Sequence, residues 1–321
     1  MPKTTGQAVT IDAVVPVYGG WQHVEPCLTA LATQTHPVNV IIVDDCGPDD
    51  TADRVAAAFP ELTLLRNETN RGFAATCNRG IRHGSADVVV LVNSDVIAEP
   101  TLMADIAAAF ADAGDDVASV SPLLTTPDGR VDSQGITADA TCAGFVRFHG
   151  ADLSRADAQD PPVLGPYGAV AAYRRRALDE VGVLDEGIFM YGEELDLALR
   201  LRAGGYDTVA LDRPGGVHIG GASAGEGSPR QIRLAGFGRG YLLRAWGVLR
   251  TRHAMRALAI EALVCLRRLV LQRDASALVG RVQGWRAARG VERPQIPARG
   301  IDRSIGLVQS VRMRQAGYWA R

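Results

Sequence analysis

The chain has 321 residues, of which 47% are hydrophobic and 22% are charged. This is the composition of an ordinary globular protein, and it excludes the collagen-like, coiled-coil and disordered classes. The formal net charge of −2 argues against a general nucleic-acid-binding protein. Neither a signal peptide nor an apolar run of about 18 residues is evident. We therefore expect a cytoplasmic protein, either soluble or attached peripherally at the inner face of the cell membrane.

The predicted strands and helices alternate through the first third of the chain. Apolar, β-branched runs predict strands at 11–17, 38–43, 62–66 and 87–92. Apolar residues at helical spacing predict helices at 22–33, 51–59, 74–83 and 103–113. Such alternation is typical of a parallel sheet with helices on both faces.

After residue 113 the pattern becomes less regular. Short strands and turns are predicted between 117 and 162, followed by the elements 164–173 (strand), 174–181 (helix), 193–203 (helix) and 208–211 (strand). The chain is predicted to be helical beyond about residue 230. The predicted fold class is α/β: a Rossmann-type, mostly parallel sheet flanked by helices, with a C-terminal helical extension.

Positive charge is concentrated in that extension. Residues 230–321 hold 19 arginines, no lysine and four acids, a balance of +15 against −17 for residues 1–229. A Gly/Ser-rich stretch lies between the two regions, so we divide the chain into domains at 1–228 and 229–321. In one interpretation, the arginines lie on amphipathic helices against an anionic membrane. In the other, the region is a helical subdomain that covers the core or forms a homodimer, and the arginines lie on its solvent-exposed face. We favour the second interpretation.

Three predicted strands end in polar side chains. Tyr18 follows the first strand, Asp44 follows the second, and Asn93, Ser94 and Asp95 follow the fourth. Ligands of parallel sheets bind at the carboxyl ends of the strands. A carboxylate such as Asp44 can accept hydrogen bonds from a base or a ribose, and Asp95 can hold a divalent metal on a diphosphate. The alternative for Asp95 is a helix cap.

Acidic residues also crowd the start of the helix predicted at 193–203. Glu193, Glu194 and Asp196 lie in its first turn, where acids interact favourably with the helix dipole. A carboxylate facing a crevice there can instead take a proton from a hydroxyl. Glu194 is our candidate general base, while Asp196 binds an acceptor or simply pairs with Arg200 at i, i+4.

A further candidate phosphate site lies at the start of the helix predicted at 74–83. Gly72 permits a tight turn there, and the free N–H groups of a helix start favour phosphate. Arg71 is placed to pair with a diphosphate. The alternative is an ordinary junction between a loop and a helix.

Five segments, in this order, resemble glycosyltransferase family 2, especially its rhamnosyltransferase-like branch: VVPVYGG, VDD, NRGFAATCNRGI, VLVNSDV and MYGEELDLALRLRAGGY. The resemblance covers about two-thirds of the chain, from Ile11 to His218. It implies a GT-A fold and an inverting transfer of sugar from a nucleoside-diphosphate sugar, with dTDP-rhamnose one candidate donor. The implied acceptor is a hydroxyl of a cell-envelope glycan, a lipid-linked glycan or a natural product.

The resemblance also implies roles for individual residues. Asp95 and His218 would hold Mg²⁺ or Mn²⁺. Glu194 stands where the family has a catalytic Asp, with Glu193 and Asp196 beside it. The implied donor-binding residues are Pro16, Val17, Tyr18, Asp44, Arg71, Gly72, Asn78, Asn93 and Ser94.

Other functions are weighed against this one. The segment 221–225 matches the G-x-S-x-G pattern of hydrolases, but glycines and a proline surround it where a strand and a helix are needed. The first strand leads to VYGGWQ, not to a dinucleotide-binding G-x-G-x-x-G. A sugar-1-phosphate nucleotidyltransferase, and a non-catalytic protein that binds nucleotide sugars or acts as a scaffold, remain as alternatives. The five cysteines form no C-x-x-C pair, which argues against a zinc site.

Overall fold

The computed structural model describes residues 9–220, 227–315 and 317–320. The first elements follow the predicted alternation: β1 Ile11–Val17, α1 Trp21–Ala32, β2 Asn39–Asp44, α2 Thr51–Ala58, β3 Thr63–Arg66, α3 Phe73–His83, β4 Val88–Val92, β5 Val96–Ala98 and α4 Leu102–Asp112. Strands β1 and β4 are buried almost throughout, as their unbroken apolar sequences require. The short strand β5 is not among the predicted elements.

The remaining elements include more strand than the sequence predicts. They are β6 Val117–Thr125, β7 Val131–Ser133, β8 Ile136–Asp139, β9 Gly144–Val146, β10 Val170–Arg174, α5 Arg175–Val181, α6 Glu193–Ala203, β11 Asp207–His218, α7 Pro229–Ala245, α8 Ala254–Leu271, α9 Ser276–Ala287, β12 Ile301–Asp302 and α10 Leu307–Arg312. The predicted strand 164–173 is too long, because β10 begins only at Val170. The predicted strand 208–211 is too short, because β11 continues to His218.

The described residues form a nine-stranded sheet in the order β3-β2-β1-β4-β10-β6-β11-β5, with β7 paired to β6. Strands β3, β2, β1 and β4 are parallel to one another, and β11 is parallel to β6. Strand β10 is antiparallel to both of its neighbours. The carboxyl ends of β1, β2 and β4 therefore lie together at one edge, which confirms the predicted α/β class.

The C-terminal region shares a hydrophobic core with the rest of the chain. Leu195 and Leu199 of α6 pack in one cluster with Tyr241, Leu242 and Trp246. In addition, β12 pairs with β8 in a second, three-stranded sheet, so this region is not purely helical. The division at 228/229 stays a prediction, but the two regions do not have separate cores.

Helices α7 and α9 cross at very short range through a pair of glycines on each. A Cβ on Gly240 would lie 2.0 Å from the carbonyl oxygen of Arg281, and one on Gly284 would lie 1.9 Å from that of Phe237. Gly236 and Gly280 repeat these contacts one turn away. Since the neighbouring atoms are backbone, no larger side chain fits without separating the helices.

Candidate active site

Asp95 and His218 meet at the edge of the sheet where β5 and β11 pair. His218 Nε2 lies 3.3 Å from Asp95 Oδ1, although the two residues are far apart in sequence. The pairing of Val96 with His218 in the two strands brings them together. The family resemblance implies that both are metal ligands, and the structure places them in direct contact.

Asp132 holds the other nitrogen of the same imidazole. His218 Nδ1 lies 3.0 Å from Asp132 Oδ2. Burial alone would lower the pKa of His218, but hydrogen bonds and charges from Asp132 and Asp95 outweigh it and raise that pKa to about 10. In Asp95, burial alone would raise the pKa, whereas His218 lowers it below its usual value. The Asp–His–Asp group is thus tightly coupled.

Asp132 is not among the predicted site residues, and no local motif marks it. It lies in β7, which pairs with β6, while β6 also pairs with β11. Two long-range strand pairings are therefore needed to bring Asp132 beside His218. A carboxylate on the second nitrogen of a histidine fixes the ring orientation, as is common at metal sites.

The donor set fits a divalent cation held by two protein ligands. Within residues 9–220, 227–315 and 317–320, no group of three or more His, Cys, Asp or Glu side chains is arranged to hold a metal. Mg²⁺ at protein sites takes one or two side chains at about 2.1 Å and completes its octahedron with phosphates and water. Neighbouring ligands of such an ion are about 3 Å apart, which is close to the 3.3 Å between His218 Nε2 and Asp95 Oδ1.

Glu194 lies half-buried in the first turn of α6, directly after an irregular turn. Tyr191 and Gly192 both have positive φ, 71° and 112°, and the Gly192 N–H donates to Glu194 Oε2 at 3.1 Å. Burial raises the pKa of Glu194 above its ordinary value. A carboxylate with a raised pKa is suited to general base catalysis near neutral pH.

Tyr167 is within electrostatic range of both Glu194 and the Asp–His–Asp group. The charges of Asp132, Glu194 and Asp95 all act on its hydroxyl and, after burial, raise the pKa of Tyr167. Tyr167 was not among the predicted residues, since it falls in a segment wrongly predicted as strand.

Glu193 differs from its neighbour in being almost fully buried. Its Oε2 atom has no hydrogen-bond partner among the described residues. Burial, followed by the charge of Glu194, holds the pKa of Glu193 well above its ordinary value. Its burial, which leaves little room for an acceptor hydroxyl beside the carboxyl group, disfavours Glu193 as the base.

Asp196 does not have the predicted catalytic or acceptor-binding position. It is fully buried, and its carboxylate accepts hydrogen bonds from Arg200 Nε (2.8 Å), Trp246 Nε1 (2.9 Å) and Arg293 Nε (2.8 Å). The i, i+4 pair with Arg200 is confirmed. These partners use the whole carboxylate, so Asp196 anchors α6 to the C-terminal region.

At the ends of β1 and β2, the predicted nucleotide residues are neighbours. Val17 pairs with Asp44 across the two strands, and Tyr18, next along the chain, is 38% exposed. Burial raises the pKa of Asp44. Pro16 is half-buried, but Val17 points into the core, which corrects its predicted donor contact through the side chain.

Asp45 organises the predicted phosphate turn. Its carboxylate accepts from the backbone N–H groups of Arg71 (2.8 Å) and Gly72 (2.9 Å) and from Asn67 Nδ2 (2.8 Å). A Cβ on Gly72 would lie 2.5 Å from the Phe189 ring. This turn therefore requires glycine for packing, and its amides are already used.

The side chains of Arg71 and Asn78 both contact the segment that follows α5. Arg71 is exposed and its Nη2 lies 3.4 Å from Glu186. The fully buried Asn78 donates to the Leu184 carbonyl at 2.8 Å and accepts from the Leu184 N–H at 3.1 Å. Asn78 therefore has a structural role, which corrects its predicted place in the donor site. Asn93 and Ser94 lie half-buried between β4 and Asp95.

Two cavities in the described part of the chain do not coincide with the predicted donor site. These surface cavities of the C-terminal region, lined in part by Trp319 and by Pro229, contain none of the predicted donor residues. The hydrolase-like segment 221–225 lies outside the described residues.

Comparison with known proteins decides the family. The model for "Glycosyl transferase family 2" matches residues 12–182, a little over half of the chain. The chain belongs to glycosyl transferase family 2. It is therefore a glycosyltransferase, which decides against the hydrolase and nucleotidyltransferase alternatives.

A similar curated protein is the N-acetylglucosaminyl-diphospho-decaprenol L-rhamnosyltransferase of Mycobacterium tuberculosis. It is 28% identical over 226 residues, which are 62% of this chain and 72% of the relative. A second, an uncharacterized glycosyltransferase of Haemophilus influenzae, is 35% identical over 86 residues, 26% of this chain and 29% of the relative.

Solved glycosyltransferases share the fold. The mannosyltransferase PcManGT of Pyrobaculum calidifontis, in complex with GDP-Man and Mn²⁺, has a TM-score of 0.54 at 19% identity and covers 87% of this chain and 88% of its own. GalNAc-T7, with UDP, GalNAc and Mn²⁺, has a TM-score of 0.59 at 13% identity over 88% and 58%. These neighbours confirm the GT-A fold.

Proposed function

We propose that this glycosyltransferase moves a sugar from a nucleoside-diphosphate sugar to an acceptor hydroxyl with inversion, using Glu194 as the general base. The observation that carries the proposal is the direct contact of Asp95 with His218 at the sheet edge, with Glu194 and Asp95 both close enough for their charges to act on Tyr167. The Asp95–His218 pair is suited to a metal-bound diphosphate, and Glu194 is suited to accepting a proton. Tyr18 and Asp44, at the neighbouring strand ends, are proposed to hold the base and ribose.

The proposed reaction is a single displacement. Glu194 takes the proton of the acceptor hydroxyl, and the acceptor oxygen attacks the anomeric carbon on the side opposite the diphosphate. Asp95 and His218 would hold Mg²⁺ or Mn²⁺, which when bound neutralises charge on the departing diphosphate. Asp132 keeps the imidazole of His218 oriented toward Asp95.

The finer specificity follows the Mycobacterium tuberculosis relative. Its name supports a rhamnosyl donor and an acceptor linked through diphosphate to a polyprenol. We propose this pair for the present enzyme, with uridine and guanosine donors as alternatives. Thermal-shift measurements with each nucleoside diphosphate, with and without Mn²⁺, identify the base, because a bound ligand raises the melting temperature.

Glu194→Gln tests the proposed base. We expect turnover to fall by about 10²- to 10⁴-fold, with donor affinity unchanged by calorimetry, because the amide keeps the shape but cannot take a proton. Exposed Glu292 provides the matched control, Glu292→Gln. Undiminished transfer by Glu194→Gln, or a comparable loss with Glu193→Gln alone, contradicts the assignment. Wild-type protein that binds donor but neither transfers nor hydrolyses it with Mn²⁺ favours the scaffold alternative.

A further inference from the structure

Helix α8 presents an apolar face to solvent. Met255 is 76% exposed, Leu266 57% and Val270 63%, and exposed Leu258, Leu263 and Leu269 lie beside them. These six residues define the apolar face of α8, and exposed Ala259 and Ala262 lie between them. Surface helices of globular proteins normally turn polar residues outward. Here the outward stripe is apolar over 255–270, about 22 Å along the helix.

Exposed arginines lie on α8, in the turn after it and on the neighbouring helix α9, and no acid with a free charge lies near the face in sequence. Arg267 lies on α8 and Arg273 lies in the turn after it. Arg286 lies on α9 and Arg289 follows that helix, and all four side chains are exposed. None of the four has an ion-pair partner among the described residues. The acids of 254–290 are Glu261, which pairs with Arg239 and Arg281, and Asp274, which pairs with Arg268.

Charge complementarity selects the partner of this face. In a two-fold contact between copies of the chain, the apolar face of one copy meets the same face of the other. The unpaired arginines of the two copies would then lie close together and repel each other. An anionic lipid surface instead attracts the arginines and accepts the apolar side chains. No helix in the described part of the chain is long and apolar enough to span a membrane.

We propose that the apolar face of α8 docks in the plane of an anionic lipid surface. Helix α8 belongs to the C-terminal region. That region contacts the turn before Glu194, because Gly238 of α7 packs on Tyr191. Docking through α8 therefore attaches the catalytic region to the bilayer. Docking is inferred from the exposed apolar side chains of α8 and the arginines near them. Its bearing on the reaction, an acceptor hydroxyl carried by a membrane-anchored molecule, rests on the proposed function.

Vesicle sedimentation tests the proposal. We expect the full chain to pellet with vesicles of phosphatidylcholine mixed with phosphatidylglycerol, and to pellet less with pure phosphatidylcholine or in high salt. The double variant Leu266→Glu/Val270→Glu should lose at least about tenfold in partitioning, because each substitution removes an apolar side chain that would insert into the lipid and adds a charge that the anionic lipid repels. The control Leu153→Glu changes a similarly exposed leucine outside α8 and should bind like wild type.

A second variant separates charge from apolar contact. Arg267→Glu/Arg273→Glu should bind phosphatidylcholine about as wild type does and lose the preference for phosphatidylglycerol. Failure of the wild type to bind mixed vesicles, or equal binding by Leu266→Glu/Val270→Glu, overturns the proposal. The proposal is also overturned if the wild type does not bind vesicles but forms a dimer by light scattering, and if Leu266→Glu/Val270→Glu abolishes that dimer. Nucleoside-diphosphate binding with Mn²⁺, measured on the same proteins, tests the proposed function separately.

Discussion

Glu261 of α8 is the centre of a buried ionic group, and its removal gives a quantitative test of how the C-terminal region is held together. Its carboxylate lies 2.8 Å from Arg239 Nε, 2.7 Å from Arg281 Nε and 3.4 Å from Arg314 Nη2. These arginines belong to α7, α9 and the chain end. One side chain therefore joins three segments, and Arg239 continues to the carbonyls of Thr141 and Cys142.

The magnitude follows from the pKa. Burial alone would raise the pKa of Glu261, but the charges of the three arginines lower it from 4.5 to about 2. A pKa lowered from 4.5 to about 2 corresponds to about 3 kcal/mol in the free energy of unfolding. We therefore expect Glu261→Gln to reduce that free energy by about 3 kcal/mol at about pH 7, which also reflects the cost of leaving buried arginines without their counter-charge.

The sign of the pH dependence is fixed by the same shift. A carboxylate whose pKa is lower in the folded state stabilises the fold above its unfolded pKa, and the stabilisation is lost as pH falls through the folded pKa. The difference between wild type and Glu261→Gln should thus be complete above about pH 5 and fall to about half near pH 3.

Urea unfolding followed by circular dichroism measures this difference. Glu292→Gln makes the same chemical change at an exposed position and should shift the unfolding free energy by less than about 0.5 kcal/mol. A loss below about 1 kcal/mol for Glu261→Gln at about pH 7, or a difference that does not decline in acid, would refute the reasoning.

Two further predictions concern the metal site and the helix crossing. Asp132→Asn should weaken Mn²⁺-dependent binding of a nucleoside diphosphate at least about tenfold, because the amide no longer orients His218. Calorimetry measures this, and exposed Asp128→Asn is the control; equal affinities in the two variants would remove Asp132 from that role. Gly284→Ala should lower the unfolding free energy by about 2 kcal/mol, since its Cβ would lie 1.9 Å from a backbone oxygen. Gly306→Ala, whose Cβ meets nothing within 4 Å, should unfold like wild type in urea; a matching loss there would contradict the packing argument.

The sequence predicts the parallel half of the sheet well because its signals are local. The runs that became β1 and β4 are apolar and β-branched, and the structure begins and ends them within a residue of the predicted bounds. The structure also places Asp95 and His218 together as their predicted role requires. The strand predictions depend on residues near one another in sequence, whereas the pairing of Asp95 with His218 is implied by the family resemblance.

The errors arise where distant residues decide the outcome. Asp196 was predicted at the catalytic site because three acids in a first helical turn exceed what a dipole needs. Its partners Trp246 and Arg293 lie 50 and 97 residues further along the chain, so no local pattern reveals that they bury and neutralise it. Asp132 is the reverse case, since only long-range strand pairing places it beside His218.

The contact between Gly238 and the turn at Tyr191 has a consequence for how this enzyme can change. A Cβ on Gly238 would lie 1.8 Å from the Tyr191 carbonyl oxygen, so helix α7 presses on the backbone that directs Glu194. Exchanging the last ninety or so residues for those of a relative would therefore alter the reaction centre along with whatever surface was being replaced. Chimeras that join two such enzymes after the sheet must transfer this glycine and its facing turn as one unit.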